Sequence, residues 1–390
     1  MITKDKFPVV IGVAFVWFTT QFGGGFASGA QLKAFFLNYG IWCLIMPVIA
    51  QGIGAIYQWY ALRYAHNHQV YDYRSFNDSF YGKFAPVFSN LYELLYFVLL
   101  CVAPSVAFAT GGATMTALLG IPYWICTVII GGFIFIVAVF GTNIVRKVAS
   151  TLSVLIITGL LLIFIPNIFA QWSNIRGNLS VTAAAAAPIG PALWSCFVYA
   201  CFQLASIGLM PQHAKPFRDQ SDAHKSMIWG FCVNSVIVML STLGLMAVLH
   251  LPEYATSAVP VLLLVQTGVG APILTPIIST LIILGAVSTA VNMIAGVTAR
   301  VCNKFQPGEF SASEASGRPT KMAILTTLAF TLLALGISQF GLLALVAKGY
   351  GYLGYLTIPI VMIPYVVHMI VTKGDTVRPA SVAVMAEEQA

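Results

Sequence analysis

The chain carries very little charge for its length. Of its 390 residues, 19 are Lys or Arg and 12 are Asp or Glu, so 8% are charged, whereas a soluble globular domain carries about 25%. A chain this poor in charge cannot cover a surface that faces water. This excludes a soluble enzyme, a nucleic-acid-binding module and an intrinsically disordered chain. The hydrophobic fraction of 59% predicts an all-α polytopic membrane protein that faces the lipid bilayer.

Enzyme and metal-binding motifs are also missing from the sequence. It has no HExxH, Walker A or CxxC motif and no pair of intramembrane carboxylates, so we expect no enzymatic activity and no cofactor. The seven cysteines fall almost entirely inside apolar runs and are interpreted as packing residues. The net charge of +7 comes from single cations scattered between apolar runs, which is typical of cytoplasmic loops rather than of a nucleic-acid partner.

Apolar runs bounded by Pro, Gly or charge predict ten membrane spans. Their approximate bounds are 8–37, 39–62, 86–119, 121–142, 147–170, 189–214, 224–250, 271–302, 320–338 and 340–371. One further run, 253–268, is either an eleventh span or a helix at the surface. Lys4 and Lys6 ahead of the first run also imitate a signal peptide, but a retained first span explains the same pattern.

The distribution of cations decides the topology. With ten spans and a cytoplasmic N-terminus, the cytoplasmic segments hold 16 of the 19 Lys and Arg residues, all except Lys33, Arg176 and Lys348. If 253–268 crossed the membrane, the cations from Arg300 onward would move outside. The positive-inside rule therefore favours ten spans with both termini in the cytoplasm. We expect one transmembrane domain over 1–372, an external helix at 253–268 over the outer mouth, and a cytoplasmic tail at 373–390.

Three consecutive glycines interrupt the first span. Gly23, Gly24 and Gly25 lie between Thr19 and Ser28, and each glycine costs about 1 kcal/mol of helix propensity relative to alanine. Small residues can serve close helix packing. The alternative is a broken helix whose freed N–H and C=O groups bind a substrate and an ion, and we favour it because three glycines with polar neighbours exceed what packing needs.

Ten spans divide into two repeats of five, at about 8–170 and 189–371. An inverted repeat then predicts a second break in the sixth span, at Gln203 to Gly208. That stretch is small and polar and follows the start of its span by about 15 residues, as the glycines do in the first span. We expect both breaks at the same depth.

Polar groups in other spans supply further candidates. Ser288 and Thr289 in the eighth span, with the Gly285 carbonyl one turn earlier, provide the oxygen ligands that a hard cation prefers, although such hydroxyls often bond back to their own helix. Glu93 and Lys348 lie within the third and tenth spans. Each is either a gating or proton-sensitive group or a side chain that snorkels to the nearer interface.

Together these features resemble a known architecture. Five-plus-five spans, a glycine-broken first span and Ser-Thr on the eighth are similar to the LeuT-like fold of the amino acid/polyamine/organocation (APC) superfamily. The segment Phe22–Gln31 resembles the GAGFATGQE-type signature of the YkvI-type bacterial membrane proteins. It departs from that signature at Ala30-Gln31-Leu32, where a Gln-Glu pair is expected and the acidic residue is missing.

The resemblance implies specific roles. Sodium would be held by the carbonyls of Thr19, Phe22 and Gly285 and by the hydroxyls of Ser288 and Thr289. Substrate would meet the first break and the aromatic and polar residues near both breaks, namely Gly23, Gly24, Gly25, Phe26, Ser28, Tyr199, Gln203 and Ser206. The lysine that replaces sodium in proton-coupled relatives is absent from the fifth span, which favours Na⁺ as the coupling ion.

The sequence thus predicts a secondary transporter in a bacterial-type inner membrane. Its expected activity is Na⁺-coupled symport of an amino acid or related small zwitterion by alternating access, since neither break contains an acid that would attract a cationic substrate. The alternatives are a proton-coupled or uncoupled transporter or channel, and a membrane sensor that kept a transporter fold. The expected partners are this small molecule and lipid; the sequence does not specify an oligomeric state.

Overall fold

The structure is a computed structural model that describes residues 9–140, 142–306 and 319–376, with only the backbone described over 142–153. Most of the predicted tail, from 377 onward, lies outside the described residues. Every regular element in the described ranges is a helix, so the predicted all-α class is confirmed. Seven helices are long and apolar enough to cross a membrane, two bent pairs raise the number to nine, and the shorter apolar helix Val9–Gln21 begins the first span.

The ten predicted spans correspond to ten helical rods. Span 1 consists of Val9–Gln21, Gly24–Ala27 and Ala30–Phe35, and span 6 of Ile189–Gln203 with the 3₁₀ turns Leu204–Leu209 and Pro211–Ala214. The other spans, numbered 2 to 5 and then 7 to 10, are Met46–His68, Ala85–Leu119, Tyr123–Phe140, Thr142–Ala170, Gln220–Leu245, Ala271–Phe305, Lys321–Ser338 and Leu342–Val371.

The lengths of the rods repeat with a period of five spans. Spans 3 and 8 have 35 residues each, spans 4 and 9 have 18 each, and spans 5 and 10 have 29 and 30. Contacts repeat as well, since span 1 packs on span 7 as span 6 packs on span 2, and span 4 packs on span 8 as span 9 packs on span 3. Because five is odd, corresponding spans run in opposite directions. This confirms the predicted five-plus-five inverted repeat.

The segment at 253–268 forms two short helices, Pro252–Thr256 and Pro260–Gln266, with 5 and 7 residues. Neither approaches the roughly 20 residues that a span needs. We call residues 252–266 the lid, and the end of the bundle that they cover the lid end.

Three further helices are absent from the sequence prediction. Leu37–Leu44 bends by 76° into span 2, and Trp172–Ala184 bends by 80° away from span 5. Tyr73–Tyr81 begins at Asp72, whose carboxylate accepts from the backbone N–H of Arg74 and of Ser75. The sequence predicted one span beginning at residue 39, but Gly40 interrupts the helix there. Its φ of 64° is a backbone conformation that favours glycine.

Candidate transport site

The first break lies between the two halves of span 1. Gly23 is extended, with φ of −75° and ψ of −175°, between the helices Val9–Gln21 and Gly24–Ala27. Its carbonyl accepts from the N–H of Phe26 at 3.0 Å and of Ala27 at 3.1 Å, so the second helix starts there. The last carbonyls of the first half and the first N–H groups of the second have no partner within the helix. The predicted discontinuity of span 1 is confirmed.

The glycines at this break also permit close packing. A Cβ on Gly24 would lie 3.0 Å from the Ala286 Cβ of span 8 and 3.2 Å from the Thr110 Cγ2 of span 3. A Cβ on Gly25 would lie 3.1 Å from the Val106 Cγ1 of span 3. The two explanations left open by the sequence therefore coincide, because the residues that open the helix also bring it against spans 3 and 8.

Span 8 places a hydroxyl beside this break. The Thr289 Oγ1 lies 3.4 Å from the position that a Cβ on Gly23 would take, and it donates to the Gly285 carbonyl at 2.9 Å. Ser288 is half-buried at the adjacent position. The Thr19 side chain is exposed, and its hydroxyl donates to the Val16 carbonyl at 3.0 Å. The structure thus brings Gly285, Thr289 and the first break together, while sodium binding by these groups stays a prediction.

Ser28 and Phe26 serve the local fold of the second half. The Ser28 hydroxyl donates to the Gly25 carbonyl at 3.0 Å and accepts from the Ala30 N–H at 3.3 Å. It closes the turn at Gly29, whose φ of 82° favours glycine. The rings of Phe18, Phe22 and Phe26 follow one another across the break, with centroids 4.0 Å and 4.1 Å apart.

The second break follows Gln203, where span 6 changes to the 3₁₀ turn Leu204–Leu209. The discontinuity of span 6 is confirmed, and a residue that the sequence analysis missed fills it. The buried Tyr92 hydroxyl of span 3 donates to the Ala205 carbonyl at 2.9 Å and accepts from the Gly208 N–H at 2.7 Å. The sequence offered one indication of this role, a tyrosine within an apolar span. A buried phenol hydroxyl requires a hydrogen-bond partner.

The two breaks do not lie at the same depth, contrary to our expectation. Span 3 meets the first break at Val106 and Thr110 and the second at Tyr92, which are roughly 21–27 Å apart along the helix at 1.5 Å per residue. The inverted repeat explains this separation. Spans 1 and 6 begin at opposite ends of the bundle. A break about 15 residues from the start of each span lies past the middle of a ~30 Å hydrocarbon core, so the two breaks lie on opposite sides of that middle.

The predicted side chains of span 6 face the second half of span 1. The Tyr199 ring centroid lies 5.5 Å from that of Phe35 and 4.8 Å from that of Phe36. The Gln203 Nε2 donates to the Tyr199 hydroxyl at 3.0 Å, and the Ser206 hydroxyl donates to the Gln203 carbonyl at 3.4 Å. The contact of these residues with span 1 is therefore aromatic, and both hydrogen bonds lie within span 6.

Glu93 and Lys348 lie apart from this contact and from each other. The Glu93 Oε2 lies 3.4 Å from the Arg300 Nη1, and the Arg300 guanidinium stacks over the rings of Tyr73 and Tyr96 at 4.7 Å and 4.3 Å. Lys348 is exposed on the π-helical turn Leu345–Gly349 of span 10. The gating and snorkelling interpretations of both residues stay predictions.

Lys33 is a second residue whose role the sequence analysis missed. Its side chain is 7% exposed, and its ammonium donates to the lid carbonyls of Tyr254 at 2.6 Å, Ala255 at 2.9 Å and Ser257 at 3.1 Å. The Val261 N–H adds a bond of 3.1 Å to the Ser28 carbonyl. These four bonds attach the lid to the second half of span 1.

A cleft of about 530 Å³ opens beside the lid, between the lid and the adjoining ends of spans 3, 4 and 10. Its polar lining includes Glu253, Gln266, Gln339, Thr116 and Tyr123. Across the described ranges, no three His, Cys, Asp or Glu side chains group closely enough to hold a metal ion.

Comparisons with known proteins give a likeness of fold. No protein-family model and no curated protein matches the sequence. Among solved structures, the chain is similar to the manganese transporter of Eremococcus coleocola in complex with an aromatic bis-isothiourea substituted compound. It is 15% identical, with a TM-score of 0.48, and the match covers 97% of this chain and 90% of that one. Two mutants of the same transporter match at 14% identity, with TM-scores of 0.47 and 0.48. Membership of the YkvI-type proteins or of the APC superfamily stays a prediction.

Proposed function

We propose that this multi-pass membrane protein is a secondary transporter that carries a small organic zwitterion, such as an amino acid, together with Na⁺. The observation that carries the proposal is the placement of the extended backbone at Gly23 beside the Thr289 hydroxyl and the Gly285 carbonyl. Interrupted spans of this kind offer backbone groups to a substrate and an ion at membrane depth.

The packing of the spans supports transport by alternating access. Spans 1, 2, 6 and 7 pack on one another through the pairs 1–7, 2–7 and 2–6, whereas spans 3, 4, 8 and 9 form a second group. The first break lies where these groups meet. We propose that the first group, spans 1, 2, 6 and 7, moves against the other six, with the cell inner membrane as its location and both termini in the cytoplasm.

The chemistry near the breaks favours a zwitterion over a cationic cargo. No Asp or Glu occurs between residues 9 and 35 or between residues 189 and 218, so a strongly cationic substrate lacks a counter-charge there. The similar solved structures are named as manganese transporters, and first-row divalent metals are bound mainly by His, Cys and carboxylate side chains. Since no cluster of three such side chains occurs in the described ranges, we place the organic zwitterion ahead of a metal cargo.

A thermal-shift screen of the purified chain tests this proposal. Amino acids, amines and Mn²⁺ would each be added in Na⁺ or in K⁺, because a ligand that binds the native state alone raises its apparent stability. We expect an amino acid to stabilise the protein only in Na⁺. An amino acid that stabilises the protein equally in Na⁺ and in K⁺ would favour proton coupling or facilitated diffusion. Stabilisation by Mn²⁺ alone would contradict the proposal that the cargo is a zwitterion.

The variant Thr289→Val sharpens the test. It removes the hydroxyl beside Gly23 and keeps the shape of the side chain, so the Na⁺ dependence of ligand binding should fall by about tenfold, the effect of losing roughly 1.4 kcal/mol of ligation. Thr280→Val is the matched control, because Thr280 lies on the same span, is exposed and bonds back to the Pro276 carbonyl in the same way. Unchanged Na⁺ dependence in folded Thr289→Val would remove the sodium site.

A further inference from the structure

Three buried carboxamides gather where spans 1, 2 and 7 meet. They are Gln21, Gln51 and Asn234, which are 6%, 1% and 0% exposed. Within the described part of the chain, the Oε1 atoms of the two glutamines and both amide atoms of Asn234 have no hydrogen-bond partner. We call these three side chains the amide cluster. None of them belongs to the sodium or substrate residues considered above.

The contacts of Trp17 with glycines of spans 2 and 7 show where the amide cluster lies. The Trp17 indole of span 1 would meet a Cβ on Gly54 of span 2 at 3.1 Å, and it also packs directly against Gly230 of span 7. Gln21 and Asn234 each follow these contacts by four residues, which keeps them on the same helix faces. Spans 1 and 7 run in the same direction, so Gln21 and Asn234 lie at the same level.

Span 2 contributes Gln51 to that level. The Gln21 Nε2 lies 3.9 Å from the position of a Cβ on Gly54, and Gln51 precedes that glycine by about one turn. The Arg63 guanidinium donates to the Gln220 Oε1 at 2.9 Å, and a Cβ on Gly52 would lie 3.7 Å from the Phe231 ring. These two contacts set an antiparallel register in which Asn234 lies within one turn of Gln51.

The charges around the cluster define what it can bind. No Asp or Glu occurs between residues 9 and 35 or between residues 46 and 68. The nearest acid on span 7 is Asp222, 12 residues before Asn234, or roughly 18 Å along the helix. Several neutral oxygens without a carboxylate suit a hard monovalent cation, whereas a divalent cation usually requires carboxylate ligands. Gln21 is also the last residue of the first half of span 1, so the cluster adjoins the first break.

We propose that the amide cluster is a binding site for a monovalent alkali cation, distinct from the group around Thr289. The cation is held by carboxamide oxygens of spans 1, 2 and 7, and the Trp17 indole closes the side of the site nearer the start of span 1. Because these spans belong to the group proposed to move, a cation here stabilises one arrangement of that group.

Cation-dependent stability of the purified full chain tests the proposal. Melting temperatures would be compared in NaCl, KCl, LiCl and choline chloride at one ionic strength, with no organic solute. The Thr289→Val chain would be compared with the same chain carrying Gln51→Met and Asn234→Leu. These changes replace amides with apolar groups of similar shape, so the melting temperature in choline should hold or rise. Gln212→Met with Asn90→Leu makes the same chemical changes at exposed positions and is the control.

We expect an alkali cation to raise the melting temperature of Thr289→Val by several degrees and to have no such effect after the two amide changes. The control pair should keep the shift. The proposal is overturned if Thr289→Val shows no cation-dependent shift, or if the shift survives loss of both amides, in which case the amides bind water alone. Neither result affects the zwitterion screen, so the two proposals fail separately.

Discussion

Spans 1 and 6 both contain a break in the helix, but different groups stabilise the two breaks. In span 1, glycines let the backbone open and lie against spans 3 and 8, and the Thr289 hydroxyl beside Gly23 comes from another helix. In span 6, a tyrosine from span 3 enters the break and satisfies both an N–H and a C=O group. The second break is therefore closed by a side chain of the protein, whereas the backbone groups of the first break are those that we propose for a ligand.

The largest effect is expected at the first break. Gly24→Leu would force a side chain against Ala286 and Thr110, which approach to 3.0 Å and 3.2 Å of a Cβ there. Overpacking of this kind costs about 1–3 kcal/mol or more, so we expect a lower melting temperature and loss of ligand binding. Gly12→Leu is the control on the same span, since nothing lies within 4 Å of a Cβ at Gly12. Normal melting and binding in Gly24→Leu would contradict the packed break.

Loss of the Tyr92 hydroxyl should destabilise the second break. Tyr92→Phe leaves the Ala205 carbonyl and the Gly208 N–H without their bonds, and unsatisfied buried groups cost about 1–3 kcal/mol each. We expect a lower melting temperature and faster hydrogen exchange of the Gly208 amide. Tyr352→Phe, at an exposed position of span 10, should leave both unchanged. Slow exchange at Gly208 in the Tyr92→Phe protein would show that the break closes without the tyrosine.

The second half of span 1 differs from span 6 in that the lid is attached to it. Lys33→Met removes a donor from three lid carbonyls, and hydrogen bonds to a charged group contribute about 1.5–3 kcal/mol. Amides of residues 252–266 should therefore exchange roughly tenfold faster or more. Lys348→Met, which changes an exposed lysine, provides the reference. Equal exchange of the lid in both variants would mean that the lid is held by its apolar contacts.

The smallest effect on stability is expected for Gly23→Ala. The φ of −75° at Gly23 suits alanine, and the Thr289 Oγ1 at 3.4 Å is an ordinary contact. Gly29→Ala, at φ of 82°, should cost about 1–2 kcal/mol and serves as the comparison. In Gly23→Ala the added methyl lies beside Thr289, so Na⁺ dependence should weaken while the melting temperature holds. Similar melting losses in both variants would contradict the extended backbone at Gly23.

Much of the fold could be predicted from one sequence because membrane spans are long apolar runs bounded by charge and glycine. The cation distribution also excluded 253–268 as a span, and the structure shows only two short helices there. Leu37–Leu44 was missed because its apolar composition merges with the neighbouring runs. Trp172–Ala184 was missed because it contains Ser, Asn, Arg and Gly residues and lies outside the apolar runs. The candidate site was predicted in part, since Gly23, Gly285 and Thr289 come together, whereas the depth of the second break was wrong.

The sequence by itself determined the class of protein, the repeat of five spans and the positions at which spans 1 and 6 break, since these depend on composition and local propensity. Only the tertiary structure decided how each break is held. Tyr92 lies more than 110 residues from Ala205, Lys33 more than 220 from Ser257, and the amides of spans 1, 2 and 7 meet through the register of three helices. Such contacts depend on which faces of distant helices pack together, and that information is absent from any local stretch of sequence.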